Sequence, residues 1–333
     1  MHNIVDCFIY FNEKELLELR VNLLKDYVDK FIIVDGNYTF SGIPKEFTCK
    51  KVIKELQLPE DIIEVIEVDL SLENLDPASD YEKQWVPDAK HASREKTQRD
   101  AISRCLKTNN FDQDTVFIIG DCDEIINPKY IQMMCNFARQ KRDKIFKVDL
   151  VQLEGRSDFR VYNKNTNKPF EWRYSLFFCL KEHIKTIGIN DIRNDYNNPY
   201  PIVWPYTSPR DENGIRISGE RMQDLGWHFT WMGNNNNRKI KSQSFSHHKQ
   251  EFDFIIHKSY ETDEMKKFID KYEFFDGNIP PSGDINCIIK KYPIENLPQI
   301  IFQLPRVKEF LLPSYSDLKN STSLKNFFDY ILP

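Results

Sequence analysis

Short unbroken apolar runs alternate with helix-period segments through the first half of the chain. Val5–Tyr10 and Phe31–Asp35 read as buried strands. Between them Leu16, Leu19, Leu23, Leu24 and Tyr27 recur at helical spacing, and Asn12 followed three residues later by Glu15 predicts a capping box. Strand, helix and strand in this order predict a right-handed βαβ unit. A third strand over Ile62–Val68 and a helix over Ser93–Lys107, with Ala101, Ile102, Cys105 and Leu106 inward, lead to the apolar run Thr115–Ile119. The fold class is therefore α/β, a doubly wound, mostly parallel sheet with helices on both faces.

Beyond this point the pattern changes. Asn127-Pro128 predicts the start of a helix carrying Tyr130, Met133, Met134 and Phe137. Strand-like runs over Ile145–Leu153 and Ser175–Leu180 then follow without regular intervening helices, which predicts mixed pairing. The segment from Asn190 to Gly219, rich in Asn, Pro, Asp and Gly and containing Trp204 and Tyr206, reads as long loops over the open face of the sheet. Gly233–Asn237 reads as a mobile loop before a basic helix start at Arg238. An amphipathic helix is predicted over Asp263–Tyr272 through Met265, Phe268 and Ile269, and a peripheral helix after Lys290.

At 333 residues and 40% hydrophobic content the chain can bury a full α/β core as one large domain. A net charge of −5 argues against non-specific nucleic-acid binding, so any phosphate site must be local. Seven cysteines without a CxxC pair predict reduced, buried thiols in a cytosol-like compartment. No apolar run approaches the ~18 residues of a membrane span, and the amino terminus lacks a signal-peptide pattern. A cytoplasmic protein without a membrane span is expected.

The apolar run Thr115–Ile119 leads into Gly120-Asp121-Cys122-Asp123-Glu124-Ile125. Ligand crevices of open α/β sheets lie just beyond the carboxyl ends of the strands. Asp121 and Asp123, with no lysine or arginine on the strand to neutralise them, call for a cation. Oxygen ligands suit Mg²⁺ or Mn²⁺, and a Mg²⁺ site combines one or two carboxylates with substrate phosphates, which points to a nucleotide diphosphate. Helix capping is the plainer role for these acids, but Asn127-Pro128 already supplies it.

A second cluster spans Gly219 to Gly233. Its indoles Trp227 and Trp231 could stack on sugar rings, and its acids Asp224 and Glu220 could accept a hydroxyl proton. Strand alternation sets His228 and Thr230 on the face opposite the rings, the face expected to meet the metal, with His228 as third ligand. A third cluster, Phe245–Lys249, offers His247 as a further imidazole. Glu95 and Arg99, one helical turn apart, make at least a surface ion pair.

Taken in order, the pieces Asp6–Glu13 with Leu16–Arg20, Val28–Val34, Thr39–Lys45, Gln98–Ala101, Gly120–Ile125, Gly226–Gly233 and Lys241–His247 resemble glycosyltransferase family 17. That is the family of the β-1,4-mannosyl-glycoprotein N-acetylglucosaminyltransferase. The resemblance implies a GT-A-like fold, a Rossmann-type, mostly parallel sheet with a mixed acceptor-side region. On this reading residues 1–290 form one domain, with a nucleotide-sugar half over 1–126 and an acceptor and catalytic half over 127–290; 291–333 are a peripheral extension. A UDP-sugar donor, UDP-N-acetylglucosamine in particular, a glycan acceptor, Mn²⁺ or Mg²⁺ and inversion at the anomeric carbon are implied with it.

By position, Asp121 and Asp123 would be the DxD acids, joined by His228 at the metal. Asn12, Glu13, Asp35, Arg99, Asp121 and Lys241 would face the nucleotide, and Trp227, Trp231 and His247 the acceptor. Asp224 is the expected general base, with Glu220 second. Two other readings compete: a haloacid-dehalogenase-type phosphatase using Asp121 as nucleophile, and a sugar-binding protein without activity.

Overall fold

Period-two alternation sorts each central strand between two helical layers. In the first strand Ile4, Phe8 and Tyr10 enter one core, while Val5, Cys7 and Ile9 enter the other. The computed structural model describes residues 3–86, 88–173, 176–205, 222–233, 235–244, 280 and 286–312. In chain order these form β1 (Ile4–Tyr10), α1 (Lys14–Leu24), β2 (Lys30–Gly36), α2 (Cys49–Glu55), β3 (Ile63–Val68), α3 (Glu82–Trp85), α4 (Ala89–Thr108) and β4 (Val116–Asp121). Next come β5 (Glu124–Ile126), α5 (Ile131–Gln140), β6 (Ile145–Lys147), β7 (Leu150–Glu154), β8 (Phe159–Asn163), β9 (Glu171–Trp172), β10 (Phe177–Leu180), α6 (Lys181–Thr186) and α7 (Ile189–Asn194). The remaining elements are β11 (Ile202–Val203), β12 (Gly226–Thr230), α8 (Asn235–Ser244), β13 (Cys287–Lys291) and α9 (Pro305–Leu311).

The first sheet runs β11-β6-β10-β4-β1-β2-β3. Its centre, β4-β1-β2-β3, is parallel, and β10 is antiparallel to both β4 and β6. Apolar residues of α1, α2 and α5 join one core and those of α4, α6 and α7 the other, so helices cover both faces as the sequence predicts. After β3 the chain returns to the far side of β1 to lay down β4. The strand order thus reverses between β1 and β4, which makes their carboxyl ends the switch point of the sheet. A second, mixed sheet follows the path β13-β8-β7-β12-β5, with β9 paired to β7. Among the described residues no helix is long and apolar enough to cross a membrane.

Several local expectations are corrected. The Asn12–Glu15 capping box does not form: α1 begins at Lys14 with no side-chain cap, and the carboxylate of Glu13 accepts the Phe11 N–H at 2.9 Å instead. Tyr27 lies beyond α1 and is 50% exposed. α4 starts at Ala89, because Asp88 accepts the Lys90 N–H and caps it there. The run over 145–153 is two strands in different sheets, and α7 and β11 occupy part of the segment expected to be loops. α8 begins at Asn235, within the expected loop. The helix expected over 263–272 lies outside the described residues. All seven cysteines are free thiols, as expected, and Cys105 alone is only partly buried.

The first crossing between the sheets is the turn from β4 to β5, and one buried side chain holds it. Arg20 of α1 donates through Nε and Nη2 to the two oxygens of Asp6, each at 2.7 Å. Its Nη1 donates to the backbone carbonyls of Asp121, at 2.6 Å, and Glu124, at 2.8 Å. Both side chains are fully buried. Replacing Arg20 leaves a buried carboxylate without its partner, so Arg20→Met is expected to cost about 3–5 kcal/mol in denaturant unfolding. The Asp6→Asn, Arg20→Met double variant should recover part of that loss. A cost for Arg20→Met within the ~0–1 kcal/mol of a surface pair would refute the role of this contact.

Candidate active site

A cleft of about 750 Å³ opens at the switch point. Tyr10, Phe11 and Glu13 reach it from the end of β1, and Asp121 to Glu124 from the turn after β4. Glu95, Gln98 and Arg99 of α4, Arg193 of α7, Gln152 of β7, Trp172 of β9, His228 and Thr230 of β12, and Lys241 of α8 complete its polar wall. Gln98 fixes the strand ends by donating to the carbonyls of Tyr10 and Val34.

Each acid of the turn is met by at least one cation, and Arg193 meets two of them. Asp121 accepts from Arg99 Nη2 at 2.9 Å and Arg193 Nη2 at 2.8 Å. Glu124 accepts two bonds from Arg193, each at 2.9 Å, one from Trp172 Nε1 at 2.7 Å and one from the Asp121 N–H at 2.8 Å. Asp123 Oδ2 lies 3.1 Å from Lys241 Nζ and 3.5 Å from His228 Nε2. Lys241 also donates to Thr230 Oγ1 at 3.0 Å, and the Trp172 ring stacks on His228 at 4.6 Å between centroids.

Arg193 arrives at this point because α7 docks closely on α4. A Cβ at Gly188 would sit 2.5 Å from the Asp100 carboxylate, so any larger residue would have to displace that side chain from the Asn190 N–H it accepts. Asn190 then bonds Arg99, Glu82 and, through its N–H, Asp100. Buried Lys147 donates to the Arg193 carbonyl at 2.5 Å.

Burial alone would push every carboxyl here up, and the cations decide which resist. Against that desolvation, Arg193 holds Glu124 down to about 2, and Lys241 and His228 hold Asp123 well below the usual carboxylate range. Glu13 goes the other way: burial first and the charge of Asp123 second raise it to about 7, with Lys241 opposing. Burial pushes the Cys122 thiol well up, which suits a packing role.

Asp123, Glu124 and His228 each offer a ligand atom, all within 4.8 Å of one another. The lone pairs of Glu124 are largely committed to its donors, whereas buried His228 Nδ1 has no hydrogen-bond partner among the described residues. The same is true of Gln152 Oε1, and Gln152 faces His228 across β7 and β12. Carboxylate oxygen and imidazole nitrogen together fit a divalent ion such as Mn²⁺.

The structure thus brings Glu13, Arg99, Asp121, Asp123, His228, Trp231 and Lys241 to one cleft. It does not bring in the others. Asn12 is exposed beside it, and Asp35 is spent on Lys45 and on the N–H groups of Thr48 and Cys49 at the start of α2. Trp227 is buried in the core with its Nε1 on the Asn296 carbonyl. Asp224 is 47% exposed, paired with Arg160 at 2.6 Å, and does not line the cleft. Glu220 and His247 lie outside the described residues. Arg193, Glu124, Gln152 and Trp172 were not singled out from sequence. Only Glu124, adjacent to the acid pair, carried a local signal.

The model of glycosyltransferase family 17 matches residues 1–146. The matched segment is similar to a glycosyltransferase family, and it carries the parallel strands that meet at the switch point. No curated protein matches it. A 4-diphosphocytidyl-2C-methyl-D-erythritol synthase is similar at 10% identity and a TM-score of 0.35, over 66% of this chain and 94% of that one. GalNAc-T7, solved with UDP, GalNAc and Mn²⁺, is similar at 12% identity and a TM-score of 0.33, over 55% and 35%. The mannosyltransferase PcManGT from Pyrobaculum calidifontis, in complex with GDP-Man and Mn²⁺, is similar at 8% identity and a TM-score of 0.35, over 73% and 61%. Likeness at these scores assigns no residue of the site.

The raised Glu13 gives a pH test. A carboxyl whose folded pKa lies above its unfolded value of about 4.3 contributes stability at low pH that is lost as pH rises towards about 7. In metal-free buffer Glu13→Gln should therefore raise the thermal midpoint relative to wild type more at pH 8 than at pH 5. Equal differences at the two pH values would refute the shift.

Proposed function

We propose that the chain is a metal-dependent, inverting glycosyltransferase that moves a sugar from a nucleotide diphosphate, UDP-N-acetylglucosamine by family, to a hydroxyl of a glycan acceptor. The observation that carries this reading is the meeting of Asp123 with His228, whose Nδ1 has no hydrogen-bond partner among the described residues, at the switch point of a sheet whose parallel strands lie in the segment that matches family 17. In this reading Asp123 and His228 hold the ion, with Glu124 beside them and Asp121 supporting through Arg99 and Arg193. A divalent ion bound there supplies positive charge to the diphosphate as the bond to the sugar breaks. The chain's own part is to set charge and exclude water. Arg99, Arg193 and Lys241 keep a ring of cations around the turn, and Trp172 and Trp231 wall the cleft with apolar surface.

Inversion needs a base on the acceptor side. Glu13 lines the cleft, whereas Asp224 is ion-paired with Arg160 outside it, which favours Glu13. The phosphatase alternative needs Asp121 as a free nucleophile, and two guanidinium groups hold that carboxylate.

Calorimetric titration with UDP, with and without Mn²⁺, tests the proposal. Binding should depend on Mn²⁺, and Asp123→Asn and His228→Ala should each weaken it at least about tenfold. Equal binding in the presence of a chelator would overturn the metal. Under Mn²⁺ and UDP-N-acetylglucosamine, Glu13→Gln should lose sugar transfer and keep UDP binding, with Asp224→Asn close to wild type. The reverse result would return the base to Asp224.

A further inference from the structure

The metal site of the proposed reading already holds a cation of the chain. Lys241 reaches from α8 and places Nζ 3.1 Å from Asp123 Oδ2, the oxygen that His228 Nε2 also approaches at 3.5 Å. Thr230 Oγ1 receives a second Nζ hydrogen bond at 3.0 Å, and the ammonium lies 5.8 Å from the centroid of the Trp231 ring. Its side chain is 33% exposed, whereas Asp123 is 9% exposed, so the lysine can leave and the carboxylate cannot.

We propose that Lys241 is the resident counter-cation of this site, and that a divalent ion binds only by displacing its ammonium from Asp123. The inference rests on the metal-dependent reading and adds an order to it. Asp123 cannot serve both cations at full strength, because an ammonium and a dication at one carboxylate repel each other. A displaced ammonium needs a new anion. The phosphates that arrive with the ion supply one, and a lysine is well suited to meet them as a mobile point charge. The free ion should therefore bind weakly to the wild-type chain, since it must first displace an ammonium that Asp123 already holds.

Mn²⁺ alone, titrated into the whole chain and followed by the paramagnetic resonance signal of the free ion, tests the exchange. Lys241→Met keeps the aliphatic stem and removes the charge, and Lys241→Gln is a second neutral variant. Charge-assisted hydrogen bonds are strong enough that both should bind Mn²⁺ about tenfold or more tightly than wild type. Lys241→Arg, which keeps the charge, should bind like wild type. Neutral variants that bind Mn²⁺ no better than wild type would overturn the exchange and leave the metal reading standing. Failure of the wild type and of every variant to bind Mn²⁺ would overturn both.

Discussion

A fully buried guanidinium decides where the chemistry of this chain can sit. Arg20 neutralises Asp6, which β1 carries on the face beneath α1, and with the donors left over it grips two carbonyls of the turn that follows β4. Burying such a pair stabilises little in net terms, because desolvation offsets the attraction. Its effect is geometric. With the Asp121 and Glu124 carbonyls turned inward to Arg20, the carboxylates of the turn are presented to the cleft, and β5 leaves towards the second sheet. One contact thereby ties the first strand, the first helix and the acids to each other across more than a hundred residues of sequence.

Once the acids are fixed, their mutual repulsion has to be met, and the chain meets it residue by residue. Arg99 and Arg193 share Asp121, Arg193 also clasps Glu124, and Lys241 covers Asp123. The cations come from three helices, α4, α7 and α8, so the packing of those helices and the electrostatics of the cleft are one problem. Gly188 and Lys147 illustrate this. Neither touches the cleft, yet one permits the approach of α7 and the other holds the carbonyl of its arginine. The two arginines are buried, while a third of the lysine side chain is exposed. That difference separates permanent neutralisation from a cation that can be exchanged.

Much of this frame was legible in the sequence, for physical reasons that also mark where legibility stopped. Apolar runs with period-two division specify the parallel strands whatever lies around them, so β1, β2, β3 and β4 were readable. Alternation along Trp227–Thr230 correctly opposed the indole to His228 and Thr230, but it could not say that the indole side was core and not acceptor surface. The capping box at Asn12 failed because Glu13, one residue on, found the Phe11 N–H and set the helix start itself. The break between β6 and β7 left no trace because both strands are buried in their own sheets and the apolar run hardly pauses. Arg193 was invisible for another reason. α7 is six residues long, lies in a stretch rich in turn formers, and exists through its contacts with α4, which no local pattern encodes.

The same reasoning bears on two buried polar atoms at the cleft that lack hydrogen-bond partners among the described residues. Buried donors and acceptors are normally satisfied, and leaving one bare costs stability. His228 Nδ1 and Gln152 Oε1 are bare side by side on adjacent strands, while every other contact around them is made: Trp172 stacks on the imidazole and is itself tied to Glu124, which Arg193 holds. A side chain free to turn would relieve its own deficit. These are held by neighbours that have no slack of their own, so the deficit stays at the wall of the cleft. There an incoming group can satisfy it without any rearrangement of the chain, which is the condition a preorganised site must meet.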